Sequence, residues 1–231
     1  MARVGIEPFL MSFKPEFEGS GSYNFFNNDI LIINIPPSLR KKPAGYHIAQ
    51  VEEISNFIST YSAKKVIYIS STSVYPEINK NINEDYQFSK PYPELIQAEN
   101  LLISNENINL TIIRCGGLMG YDRIPAKYFA GKINIPEGDR PVNYVHRDDV
   151  IEVIFQIIQK NSWGEIFNLV APAHPTKKEV CEKTVNDFNM AKPEFILQQP
   201  PNYKIVEVDK LIKKLNFNFK YPDPLYFYYE S

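Results

Sequence analysis

The chain has 231 residues, 44% of them hydrophobic, with a net charge of −2. That is length and apolar content for one packed α/β domain, or for a core domain with a small lobe. The near-balanced, well-mixed charge argues against a general nucleic-acid or membrane-surface binder.

Residues Ile6 to Phe13 alternate loosely and read as a short strand. Gly19 to Asn28 is a polar, turn-forming stretch. Asp29–Ile35 is a buried-strand pattern stopped by Pro36-Pro37. Tyr46 to Tyr61 has helical spacing through Ile48, Val51, Ile54, Phe57 and Ile58. Val66–Ile69 is an unbroken apolar run, the pattern of a parallel strand covered on both faces. It ends in Ser70-Ser71-Thr72-Ser73, followed by Val74-Tyr75. Pro93–Asn105 reads as a helix, Leu110–Ile113 as a strand, Asp148–Lys160 as an amphipathic helix and Glu165–Val170 as a strand. Thr176 with Glu179 three residues on predicts a capped helix to about Phe188.

Strands alternating with helices imply right-handed crossovers and a doubly wound, mostly parallel, Rossmann-like α/β sheet. Residues 1–170 are expected to form this core, and residues 171–231 a smaller substrate-side lobe with some mixing between the two. Tyr221–Tyr229 is aromatic and Pro-rich. Its rings either pack back onto the body or form a homodimer contact. Cys115 and Cys181 have no metal or redox spacing and read as buried thiols of a reducing compartment, and no metal site is expected. No stretch reaches the roughly 20 apolar residues that span a bilayer. The start has no signal-peptide pattern. The expectation is a cytoplasmic protein with a small-molecule substrate. His47 and His174 read as surface or loop residues.

The motifs in order resemble the extended short-chain dehydrogenase/reductases, the NAD-dependent epimerase/dehydratase-like group. Ser70–Tyr75 is similar to that group's Ser-Ser-x-x-Val-Tyr pattern. Arg114–Gly120 resembles its Arg-x-x-x-x-Tyr-Gly segment, with Met119 in place of the tyrosine. Val142–Val150, led by Pro141, resembles the segment in which Asp-Asp opens a helix, and Asn168–Ala171 is similar to a later strand with a trailing small residue. The resemblance implies an NAD or NADP cofactor. It places Ile35 and Pro36 at a strand end that borders the cofactor, with Ser70, Arg114, Gly116 and Gly117 also on the cofactor side. Thr72, Met119 and His146 fall on the substrate side. Ser71 takes the position of the catalytic hydroxyl, hydrogen-bonding the substrate oxygen. His146 is equally a brace for the loop beside Arg147 and Asp148. Arg114 reaches either a phosphate or a structural partner. Lys127, Lys132 and Arg140 face an anionic substrate such as a nucleotide sugar, or else solvent.

Two hallmarks are missing. The group uses a tyrosine with a lysine four residues on, which lowers the phenol's pKa. Here Tyr92, the candidate catalytic tyrosine, is followed by Ile96. Registering on Glu99 instead puts Pro91 and Leu95 at the two positions. The chain therefore resembles atypical members without that couple. A strand, glycine-rich turn and helix normally cradle the pyrophosphate, and the ten glycines contain no such cluster. About 50 residues of that fold are not represented. A truncation is expected, from a gene-start error, an internal start or an artificial boundary, with weak or no dinucleotide binding by this chain. The alternative is that Ile6–Phe13 fills the gap in the sheet. The functional readings are an NAD(P)-binding epimerase/dehydratase-like or oxidoreductase-like protein acting on a nucleotide sugar or other carbonyl substrate, a non-catalytic member used for ligand sensing or protein contact, or an inactive fragment.

Overall fold

The computed structural model describes residues 5–14, 16–37, 41–61, 63–196 and 202–230. The strands are β1 Met11–Lys14, β2 Glu16–Gly19, β3 Ile30–Ile33, β4 Lys65–Ser71, β5 Lys80–Ile82, β6 Asn109–Cys115, β7 Gly117–Met119, β8 Tyr144–His146, β9 Ile166–Leu169 and β10 Lys204–Val206. The helices are α1 Ser22–Phe26, α2 Tyr46–Thr60, α3 Glu94–Ile103, α4 Ala126–Phe129, α5 Arg147–Gln159, α6 Lys177–Asp187 and α7 Asp209–Leu215. The central sheet runs β3-β4-β6-β9, and β3 pairs with β4 in parallel. Ile112 and Gly116 donate to the carbonyls of Glu165 and Leu169, so the ladder with β9 is parallel too. The mostly parallel, helix-covered sheet expected from the alternation is the one formed.

The chain divides into two compact units. One comprises Met1–Ser70, Phe88–Ile112 and Trp163–Glu165; the other comprises Ser71–Gln87, Ile113–Ser162 and Ile166–Ser231. In the first, β4 is buried because Val66, Ile67 and Tyr68 have neighbours on both faces. Helix α2 turns Val51, Ile54 and Ile58 inward, and α3 turns in Leu95, Ile96, Ala98 and Leu102. The loose alternation at the start of the chain becomes an antiparallel hairpin, β1 with β2, and does not join the central sheet. It is held by rings instead: Phe13 meets Phe57 edge-on at 5.9 Å, and Phe26 stacks on Phe57 at 5.2 Å. Gly19–Asn28, expected as a turn, contains the short helix α1.

His47 is not a surface residue: it is fully buried on α2, its Nε2 2.8 Å from the Tyr68 hydroxyl. Sequence placed it at a helix start, where exposure is common, but the helix face it shares with Val51 and Ile54 faces the sheet.

In the second unit the capping box at Thr176 forms as expected. Glu179 N–H donates to the Thr176 hydroxyl at 3.2 Å, and the Glu179 carboxylate accepts the Thr176 N–H at 2.7 Å. Strand β10 pairs in parallel with β5, and β7 with β8, away from the central sheet. The C-terminal rings pack back onto this unit: Phe227 joins Met119 and Ala171 in a buried cluster against which Tyr221 and Tyr229 lie. Both cysteines are buried, and burial pushes the Cys115 thiol up to about 12 and the Cys181 thiol up to about 11. Among the described residues, no helix is long and apolar enough to cross a membrane.

Candidate active site

Strand β4 stops where its apolar run gives way to hydroxyls, and the chain tightens into a 3-10 turn over Thr72–Val74. Ser71 caps that turn, its Oγ accepting the Ser73 N–H at 3.1 Å. A hydroxyl that accepts keeps its own proton to donate. The preceding serine is already used: Ser70 Oγ donates to the buried carboxylate of Glu99 at 2.6 Å. The two serines thus differ in what they have left to offer.

Beyond the turn, Tyr75 is locked in a buried polar chain. Its hydroxyl donates to Asn168 Oδ1 at 2.8 Å and accepts from Arg114 Nη1 at 2.7 Å. The Asn168 N–H in turn donates to Glu84 at 2.6 Å. Burial raises the Tyr75 phenol above its ordinary value, and the Arg114 guanidinium opposes that rise. Arg114, 4% exposed, spends this donor on the protein.

Ser71, Thr72 and Ser73 border a cavity of about 330 Å³ that also includes Glu77, Gly117, Arg140, Asn143, Tyr144, Lys177 and Lys204. Three of these side chains are cationic and one is a carboxylate. Arg140 forms ion pairs with Glu77 and, at 3.2 Å, with Glu137. The Lys177 ammonium donates to the Pro136 carbonyl at 3.0 Å. Lys204 Nζ lies 3.2 Å from Glu77 Oε1. Burial pushes the Tyr144 phenol up to about 12.

The structure therefore brings Ser71, Thr72 and Gly117 to one cavity, together with Arg140. His146 lies in the same unit but is fully buried; its Nδ1 accepts the Asp148 N–H at 3.1 Å, capping α5. Its ring fills the space beside Gly120. Met119 is buried with Phe227. Gly116 donates to the Leu169 carbonyl at 2.9 Å and lies against the Asn143 carbonyl. A methyl at Gly116 would overlap both that carbonyl and Val170. Gly116→Ala is expected to cost about 1–3 kcal/mol and to lower the thermal midpoint, whatever ligand is present.

In the first unit, Ile35 and Pro36 follow β3, half-buried and exposed respectively. Tyr92 lies just before α3, its carbonyl accepting from Gln97 and its ring 5.9 Å from Lys90 Nζ. Ile96, four residues on, is buried among apolar neighbours. Sequence reasoning missed Glu77, Asn143, Lys177 and Lys204. Lys204 carried no signal, because a single lysine before Ile-Val in an irregular segment reads as surface.

A dinucleotide needs backbone N–H groups at a glycine turn between a buried strand and a helix. Among the described residues, Gly21 and Gly45 stand at the starts of α1 and α2. Gly21 follows the β1–β2 hairpin and not a strand of the central sheet, and Gly45 does not directly follow β3, which ends at Ile33. Neither forms that cradle, so the described residues do not fit the pyrophosphate of a nicotinamide dinucleotide.

No family model matches the chain. It is 28% identical over 227 residues to Protein YeeZ of Escherichia coli K12, covering 96% of this chain and 82% of that protein. Among solved structures it superimposes on UDP-N-acetylglucosamine 4-epimerase from Bacillus cereus with a TM-score of 0.70, at 13% identity, over 88% of this chain and 80% of that one. It superimposes on human epimerase family protein SDR39U1 (isoform 2), solved with NADPH, with a TM-score of 0.64, at 11% identity, over 85% and 79%. The chain has a mostly parallel, Rossmann-like α/β fold of the kind seen in these solved epimerase structures.

Proposed function

We propose that this chain is an epimerase/dehydratase-like protein of the oxidoreductase type, whose small-molecule substrate occupies the cavity at the end of β4. The observation that carries the reading is Ser71: a strand-end hydroxyl with its proton free, opening onto a cavity whose wall holds Arg140, Lys177 and Lys204. The hydroxyl donates to a substrate oxygen. Preorganised donors of this kind favour the form in which that oxygen carries charge. The cations favour an anionic substrate, and a nucleotide sugar has both features.

The test is a binding panel of UDP, UDP-glucose and UDP-glucuronic acid, read by isothermal calorimetry on the full chain. Binding is expected, and Ser71→Ala is expected to weaken it by about 0.5–1.5 kcal/mol, the net worth of one hydrogen bond. No binding by any member, or identical binding by Ser71→Ala, would remove the reading. NADH and NADPH are expected to bind the same chain weakly or not at all, because the pyrophosphate cradle is missing from the described residues.

A second reading has its own support. Ile96 is buried where the group's lysine would stand, which favours ligand sensing without turnover. Panel binding combined with no turnover on any carbonyl substrate when NADH or NADPH is added selects that reading.

A further inference from the structure

Tyr92 is followed four residues on by Ile96 and not by a lysine, yet the cavity at Ser71 contains one buried ammonium whose place in the wall is tightly built. Lys204 stands on β10, a strand fixed by its pairing with β5. Asn143 clamps that strand, donating to the Lys204 carbonyl at 3.0 Å and accepting the Val206 N–H at 2.9 Å. The side chain is 9% exposed. Lysines are almost never buried to this degree without a partner. Lys204 has two: Nζ donates to the Tyr75 carbonyl at 2.6 Å and pairs with Glu77 Oε1 at 3.2 Å.

An ammonium has three N–H donors. Two are spent on Tyr75 and Glu77. The third has no partner among the described residues, and the side chain lines the Ser71 cavity. Glu77 has a matching vacancy, since its Oε2 is buried without a hydrogen-bond partner. Tyr75 is itself held by Arg114 and Asn168, so the carbonyl that anchors Lys204 belongs to the rigid polar chain behind the cavity.

Resting on the substrate reading above, we propose that Lys204 is the catalytic proton-handling residue of the Ser71 cavity, taking the proton of a substrate hydroxyl on its amine and returning it. The step is a proton transfer alone. The substrate O–H bond breaks and a third N–H bond forms on Nζ. The resulting alkoxide is held by that ammonium and by the Ser71 hydroxyl. The two retained N–H bonds stay on Tyr75 and Glu77, so the amine's lone pair faces the cavity before transfer. Burial lowers the Lys204 pKa, and Arg140 acts in the same direction, while Glu77 acts against them. Lys177 and Glu137 complete the charged surroundings, one of each sign.

The experiment is a ¹³C NMR titration of the free, full-length chain labelled at lysine Cε, with the Lys204 resonance assigned by its loss in Lys204→Arg. Lys204 is expected to titrate below the main lysine envelope, with a correspondingly larger neutral fraction at a given pH. Glu77→Gln is expected to lower its midpoint further, because the carboxylate that favours the ammonium is gone. In the binding panel, Lys204→Arg is expected to abolish the pH dependence that wild type shows, whereas a merely structural lysine would leave that dependence in place. Titration within the envelope, or a midpoint indifferent to Glu77→Gln, overturns the proposal. Because the titration is read without ligand, a panel that fails to bind removes the substrate reading while leaving the Lys204 measurement to be judged separately.

Discussion

Arg114→Met is expected to destabilise the protein by about 3–5 kcal/mol, the cost of breaking a buried charge pair by removing one partner. The guanidinium is 4% exposed and donates to the Tyr75 hydroxyl. Its charge also favours the carboxylate form of Glu84, which burial otherwise disfavours. With methionine there, Glu84 stays buried beside Asn168 and keeps Lys210 but loses the second cation that favours its charge. Tyr75→Phe, which removes the hydroxyl but keeps the ring and the carbonyl that holds Lys204, is expected to cost less, about 1–3 kcal/mol. Urea unfolding of the two variants measures both. Equal, small losses would mean that the Arg114–Tyr75–Asn168 chain is hydrated and does not hold the end of β4 in place.

Acidification from about pH 7.5 to about pH 5.5 is expected to weaken the fold through its histidines, at up to about 1.4 kcal/mol per pH unit for each proton taken up on unfolding. His47, His146 and His174 all have pKa values lowered from 6.5, chiefly by burial. Glu94 near His47, and Asp148 and Asp149 near His146, oppose the shift without cancelling it. A lowered histidine pKa means that below pH 6.5 the unfolded chain binds protons that the folded chain refuses. The stability is therefore present above 6.5 and is lost as the pH falls toward the folded values. Glu84 and Asp149, whose pKa values are raised by burial, act in the opposite sense, but from ordinary values of 4.5 and 3.8, below this window. Urea midpoints that stay flat across this range would mean that the three rings are solvated.

The sequence by itself determined the sheet and most of its helices. Uninterrupted apolar runs such as Val66–Ile69 have only one favourable environment, a strand covered on both faces, and the helical spacing of Tyr46–Tyr61 and the capping pair Thr176–Glu179 are local signals that tertiary structure had no reason to override. Ser71 at the mouth of a cavity was legible for the same reason, since a hydroxyl ending a buried strand has nowhere else to be. What only the tertiary structure decided was which polar groups are spent and which are free. Ser70 and Ser71 are identical neighbours in sequence; one is bound to Glu99 and the other faces the cavity. Arg114 and His146, two candidate ligand contacts, are occupied by Tyr75 and by the start of α5. Lys204 was invisible, because its burial depends on Tyr75 and Glu77, more than a hundred positions earlier in the chain. Local patterning follows from the period of the backbone, whereas the satisfaction of a polar atom depends on partners that only the folded chain brings within hydrogen-bond reach.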